Sequence, residues 1–162
     1  SERMTMTGVK HTGGCLCGTV RYEVAQSNRL TVICHCRMCQ QWTGSGMWGS
    51  AAFDKKAVSF TKGAPKLYPS SSVCERGFCP DCGSSLFARY LSGGAFDAMI
   101  FISLGSLDDP EIGKPDIHYG VESEVSWIHR DDSTPRIRID VDNPAEQNEL
   151  FERILEGVIR PD

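Results

Sequence analysis

The sequence predicts a mainly β fold that ends in one helix. Two kinds of pattern carry this expectation: short segments in which apolar and polar residues alternate, and one short run that is nearly all apolar. Helical spacing of apolar residues is clear only near the C-terminus. The chain is therefore expected to form small, twisted antiparallel sheets with a C-terminal helix.

The first predicted strands lie close to the N-terminus. Residues 18–24 read GTVRYEV, so that Val20, Tyr22 and Val24 share one face, which is typical of a half-buried strand. Residues 30–33 are a second candidate strand and lead directly into the motif CHCRMC. Residues 46–53 and 57–60 are two more, around a turn at 54–56.

Three further strands are expected in the rest of the chain. Residues 85–90 follow the motif CPDCG, and residues 136–141 alternate in polarity. Residues 98–104, AMIFISL, are nearly all apolar and indicate a central strand that is covered on both faces. Prolines and glycines between residues 110 and 120 predict that the segment between the last two strands is mostly loop.

The C-terminal helix has clear start signals. Asn143 suits the N-cap, Pro144 the first helical position and Glu146 the third, which resembles a capping box. The helix, about residues 144–159, is expected to pack across the sheet with one apolar stripe, composed of Leu150, Phe151, Ile154, Leu155 and Val158.

Length and composition limit the class of protein. The chain of 162 residues, 40% apolar, suits one domain over residues 1–162. The net charge of -4 is spread without blocks of like charge, so neither nucleic acid nor an anionic membrane is an expected partner. The N-terminus shows no hydrophobic signal segment, and no apolar run approaches the roughly 20 residues of a membrane span. We therefore expect a cytoplasmic protein; its oligomeric state stays open.

The eight cysteines predict metal binding rather than disulfides. Seven of them lie in tight groups, within which disulfide geometry would be strained. The expected reducing compartment and a chain long enough to fold without cross-links also favour metal. The sequence thus predicts cysteine-rich zinc sites.

One site is predicted to be closed by four thiolates. Cys79 and Cys82, in the sequence CPDCG, can grip one ion across a tight turn that a proline starts and a glycine ends. By elimination, the other two sulfurs come from Cys15 and Cys17. Such a site is structural and joins the first strand to the middle of the chain.

The second group, Cys34, Cys36 and Cys39, supplies only three thiols. Three protein ligands and one open position are typical of catalytic zinc, and an incoming thiol is deprotonated when it binds such a metal. The alternative is a closed site, with Cys74 or His35 as fourth ligand. Cys74 is more simply a small buried residue, and His35 lies between two ligands. A short helix is expected to start near Arg37 and to stop at Gly44.

The chain resembles the glutathione-dependent formaldehyde-activating enzyme family in four segments: GGCLCGTVRYEV (13–24), CHCRMCQQWTGS (34–45), FCPDCGSSLF (78–87) and PDIHYGVESEVSWI (115–128). The similarity covers most of residues 13–139. It implies two zinc ions per chain, one structural on Cys15, Cys17, Cys79 and Cys82, and one catalytic on Cys34, Cys36 and Cys39. It also implies a carbon–sulfur lyase that condenses glutathione with formaldehyde to S-(hydroxymethyl)glutathione.

One segment departs from the family pattern. Residues 40–42 are Gln-Gln-Trp, where many relatives are basic, which implies another thiol or weaker glutathione binding if those basic residues hold substrate carboxylates. Arg37 could offset the thiolates or hold a carboxylate. Trp48 could line the open position or belong to the core. His118, Tyr119 and Trp127 could have a polar role near the open position, but packing is the role expected of them.

Two other functions compete with the lyase. One is a binding module, such as an exchange chaperone for small GTPases, in which zinc only holds the scaffold; a closed second site and a large exposed apolar patch would favour it. The other is a thiol redox enzyme with Cys74 as nucleophile, which requires an exposed Cys74 of low pKa.

Overall fold

The structure is a computed structural model that describes residues 8–128, 133–139 and 142–160. Within these ranges the chain forms mostly strands, with two α-helices and four short 3-10 turns. The elements are β1 (His11–Gly14), β2 (Arg21–Val24), β3 (Leu30–Cys34), α1 (Arg37–Thr43), β4 (Trp48–Asp54), β5 (Val58–Lys62), β6 (Lys66–Ser71), β7 (Cys74–Phe78), β8 (Ser85–Tyr90), β9 (Met99–Ser103), β10 (Ile117–Tyr119), β11 (Arg136–Ile137) and α2 (Pro144–Val158). The mainly β class with a C-terminal helix is confirmed.

The strands form two sheets. A small antiparallel sheet has the order β1-β2-β5, and a larger one has the order β11-β10-β3-β4-β9-β8-β7-β6. Pairing in the larger sheet is antiparallel except that β10 runs parallel to β3 and to β11. Because β10 pairs with β3, it lies beside the strand that leads into the CHCRMC motif.

Most predicted strands are present, but their partners are not always neighbours in sequence. The segments before and after the turn at residues 54–56 do not pair with each other: β4 lies in the larger sheet and β5 in the smaller. The patterns missed β1, β6, β7 and β10, and β10 interrupts the segment expected to be loop. Residues 140–141 of the last predicted strand lie outside the described residues.

The buried apolar side chains fall into two clusters, and each cluster contains cysteines of one group. The first includes Cys34 and Cys39, and the second includes Cys15 and Cys79. All five residues of β9 are buried, which confirms the expected central strand. Each cysteine group is thus anchored in the core by two of its members, although Cys17 is exposed.

Helix α2 packs on the first cluster with most of its predicted stripe. Leu155 is 3% exposed, and Phe151 makes edge-on ring contacts with Phe96 and Tyr119. The placement of Leu150 in the stripe is wrong, because 45% of its surface is exposed. Neither helix of the described residues is long and apolar enough to cross a membrane.

Candidate metal centres

Four thiols meet where the smaller sheet approaches the turn between β7 and β8. The Sγ atoms of Cys15, Cys17, Cys79 and Cys82 all lie within 4.8 Å of one another. Cys17 Sγ is 3.6 Å from Cys15 Sγ and 3.8 Å from Cys79 Sγ. The fold therefore brings together the Cys15–Cys17 and Cys79–Cys82 motifs, which the sequence analysis had paired by elimination.

Local backbone structure explains why these thiols converge. Gly18 and Gly83 each follow a cysteine pair and adopt the left-handed backbone region, with φ of 80° and 75°. The N–H of Gly83 donates to the Cys79 carbonyl at 2.9 Å, which closes the turn. The N–H of Val20 donates to Cys15 Sγ at 3.2 Å. Backbone donors that point at sulfur favour the thiolate form that metal binding requires.

Three thiols form the second cluster, around the start of α1. The Sγ atoms of Cys34, Cys36 and Cys39 lie within 4.8 Å of one another. Cys34 ends β3, Cys36 is the N-cap of α1, and the N–H of Cys39 donates to Cys36 Sγ at 3.4 Å. Helix α1 ends at Gly44, whose φ is 71°, as predicted.

Neither alternative fourth ligand joins this cluster within the described part of the chain. Cys74 is outside the group of converging thiols and is 6% exposed, in agreement with a small buried residue. His35 turns away from the thiols, and its Nε2 lies 3.0 Å from Nδ1 of the buried His118. The burial of Cys74 also argues against the redox enzyme, which needs an exposed thiol.

Arg76 is a neighbour of the three-cysteine cluster that the sequence analysis missed. It is 3% exposed, and its Nη2 donates to Cys39 Sγ at 3.5 Å. Its guanidinium lies 4.8 Å from the ring centroid of Trp42 and 5.8 Å from that of Trp48. The sequence held one clue to this position. Arg76 lies two residues after Cys74, so the two side chains share one face of the strand that leads into the CPDCG motif.

Hydrogen bonds among the three thiols shift the pKa values of Cys34 and Cys36 in opposite directions. The pKa of Cys36 is lowered, first because Cys34 donates a hydrogen bond to it, then because Cys39 does so, and also because Arg76 is near. The pKa of Cys34 is raised, because that hydrogen bond to Cys36 and one with Cys39 hold its proton, and because it is buried.

Gln40, at the site of the departure from the family pattern, has a structural role. Its side chain is 5% exposed, and its Nε2 donates to the carbonyls of His35 at 2.7 Å and Ser123 at 2.8 Å. Gln40 thus fixes the cysteine loop against the segment after β10. Arg37 is exposed and donates to Gln40 Oε1, so it does not offset the thiolates directly.

The aromatic residues have mixed roles. Trp48 is 5% exposed, belongs to the core, and donates from Nε1 to Ser103 Oγ at 2.9 Å. His118 and Tyr119 pack as expected, but the expectation for Trp127 is wrong, because it is 67% exposed. A cleft of about 900 Å³ is lined by Trp42 and Trp48 and by Cys15 and Cys82 of the four-cysteine cluster.

Comparison with known proteins supports one family. Residues 10–123 match the family described as glutathione-dependent formaldehyde-activating enzyme. A Schizosaccharomyces pombe protein described as an uncharacterized lyase is 32% identical over 84 residues, which are 52% of this chain and 61% of that protein. A crystal structure of a Rhodobacter sphaeroides protein is 22% identical, with a TM-score of 0.49 over 60% of this chain and 87% of that one.

Proposed function

Since the chain belongs to the glutathione-dependent formaldehyde-activating enzyme family, we propose that it is a zinc-dependent carbon–sulfur lyase. It adds a small thiol such as glutathione to formaldehyde or a similar small aldehyde. The observation that carries this proposal is the convergence of Cys34, Cys36 and Cys39 with no fourth ligand among the described residues.

The donor sets fit two zinc ions with different roles. Four thiols suit a closed structural site, so Cys15, Cys17, Cys79 and Cys82 hold the structural ion. Three thiols leave room for one more ligand, so Cys34, Cys36 and Cys39 hold the catalytic ion. When bound there, zinc supplies a soft Lewis-acid position at which a thiol ionises at neutral pH.

The residues around the three-cysteine cluster hold its thiols in place and surround them with apolar side chains. The His35–His118 contact and the two hydrogen bonds from Gln40 fix the loop to β10 and to the segment that follows it. The rings of Trp42 and Trp48, 5.1 Å apart and edge to face, cover the same apolar cluster. Because Arg76 is buried, its electrostatic contact with Cys39 Sγ is stronger than it would be in water.

The proposed reaction is balanced without an oxidant or reductant. The thiol sulfur forms a bond to the aldehyde carbon, the carbonyl π bond breaks, and the thiol proton ends on the former carbonyl oxygen. The product is a hydroxymethyl thioether, or its homologue for a larger aldehyde. The reverse reaction breaks the carbon–sulfur bond, which is the sense in which such an enzyme is a lyase.

The Schizosaccharomyces pombe relative is described as a lyase, but this chain spans only 61% of that protein, so its reaction is a guide to the class alone.

We also propose a cytoplasmic location, because all eight cysteines are free thiols and both clusters need them reduced.

The test measures exchange between formaldehyde and its glutathione adduct. Carbon-13 formaldehyde and glutathione react without enzyme, so the rate is read at equilibrium by NMR exchange spectroscopy with and without protein. The zinc-loaded protein is expected to raise the exchange rate, and Cys36→Ser to abolish the increase. Cys74→Ala, a matched change of a buried cysteine outside the cluster, is expected to keep it. An exchange rate that the wild-type protein leaves unchanged with every small thiol and aldehyde tried would overturn the proposal.

A further inference from the structure

Arg76 is a buried cation with no carboxylate partner among the described residues. Its Nη2 donates to Cys39 Sγ at 3.5 Å, and its Nε donates to Ser70 Oγ at 3.1 Å. Its Nη1 is buried and makes no hydrogen bond to the part of the chain that the structure describes. Burying a charge is costly unless an opposite charge compensates it. The acidic groups beside this guanidinium are the thiols of Cys39 and Cys74 and the phenol of Tyr90.

The other arginines near this region have different surroundings. Arg89 lies opposite Glu75 in the β7–β8 register and forms an ion pair with it. Because side chains alternate along a strand, Glu75 and Arg89 lie on the opposite face of the sheet from Arg76. Arg37 is exposed and bonded to Gln40. Arg76 is thus the cation that the fold places against the three-cysteine cluster.

We infer that Arg76 makes the open position of the three-cysteine cluster selective for an anionic fourth ligand over a neutral one. This inference rests on the proposed function. Three thiolates and one divalent zinc ion carry one net negative charge, and a fourth thiolate raises it to two. The buried guanidinium compensates part of that added charge, and its unused Nη1 donor adds a possible hydrogen bond. A neutral ligand adds no charge and gains nothing from Arg76.

Cobalt(II)-loaded protein gives a readout that does not depend on activity. Replacing zinc by cobalt produces ligand-field and sulfur-to-cobalt absorption bands that change when a fourth ligand enters the open position. The probes are 2-mercaptoethanol, which binds as a thiolate, and imidazole, which binds as a neutral molecule. The four-cysteine cluster has no open position, so its bands stay constant.

Three variants isolate the charge. Arg76→Met fills a similar volume without charge, and the affinity for 2-mercaptoethanol is expected to fall by about tenfold or more, as for loss of an opposite charge within roughly 4–6 Å. Its imidazole affinity is expected to stay the same. Arg76→Lys keeps the charge and is expected to keep most of the preference for the thiol. Arg89→Met, the matched control on the other face of the sheet, is expected to behave as wild type.

The outcomes separate the two ideas. If the wild-type protein binds neither probe, the open position and the proposed function fail, and this inference fails with them. If it binds the thiol but Arg76→Met weakens both probes equally, only the inference is overturned, because Arg76 then has a merely structural role. Should Arg76→Met not fold, a loss of thiol preference in Arg76→Lys, which retains the charge, overturns the inference in the same way.

Discussion

The contact between Gly120 and Cys36 gives the sharpest test of how the fold positions the three-cysteine cluster. Gly120 follows β10 and has a φ of 70°, a region that other residues rarely adopt. A Cβ atom built on Gly120 would lie 3.0 Å from the backbone nitrogen and 3.2 Å from the Cβ of Cys36. Gly120→Ala is therefore expected to strain the backbone and also to push the N-cap of α1.

The two contributions can be sized. A left-handed non-glycine residue costs about 1–2 kcal/mol, and overpacking a tight contact costs roughly 1–3 kcal/mol. Gly93→Ala is the matched control, since Gly93 has a φ of 80° but no atom within 4 Å of a built Cβ. With about 2–4 °C of Tm per kcal/mol for chains of this size, the control is expected to lower Tm by about 2–8 °C. Gly120→Ala is expected to lower it about twice as far.

The assay combines thermal unfolding with zinc content. Gly93→Ala is expected to retain both metal ions, whereas Gly120→Ala is expected to lose the ion of the three-cysteine cluster, because Cys36 is displaced. Equal Tm shifts in the two variants, together with full zinc content in both, would refute the argument that β10 positions this cluster.

Three further predictions concern stability. The pKa of Asp54 is lowered because hydrogen bonds and the ion pair with Arg29 outweigh burial, which acts in the opposite direction. The ionised Asp54 side chain therefore stabilises the fold above its unfolded-state pKa, and this stabilisation is lost as pH falls through the lower folded-state pKa. The free energy of unfolding of Asp54→Asn, measured with denaturant, should depend less on acid pH than that of wild type. The same pH profile in both proteins contradicts this. Leu155→Ala is expected to cost about 2–5 kcal/mol and Leu150→Ala under about 0.5 kcal/mol in urea unfolding, and equal costs would show that α2 is docked differently. Cys17→Ser is expected to lower Tm far more than a serine at Cys34, Cys36 or Cys39, because a structural zinc site stabilises the fold directly. A larger fall in Tm for the three-cysteine variants would show that the two clusters have the opposite roles.

Local patterns were sufficient for the strands whose side chains alternate or are all apolar. Val20, Tyr22 and Val24 are each at most 1% exposed, as their alternation predicts. The short strand β10 was missed because its three residues carry no periodicity of their own. It is held by parallel pairing with β3, a partner more than eighty residues away in sequence, and such pairing leaves no local signal.

The cysteine ligands were predictable because their spacing alone encodes a tight turn. Their surroundings were not, because Arg76 on β7 contacts Cys39 on α1 from a position 37 residues away in sequence. Leu150 was wrongly predicted to be buried. Helical spacing placed it in the apolar stripe of α2, but the packed face of the helix is narrower than this stripe and leaves Leu150 exposed. Spacing identifies which residues can act together, whereas tertiary packing decides which of them do.

The central claim is that the three-cysteine cluster holds a metal ion with a position open to a thiol. Zinc X-ray absorption on the two-zinc protein, with and without glutathione, tests it most directly. We expect a mean number of sulfur ligands per zinc between three and four without the thiol, rising to about four when it is added. A mean of about four sulfurs that glutathione leaves unchanged would show that the cluster is already closed, and would contradict the account.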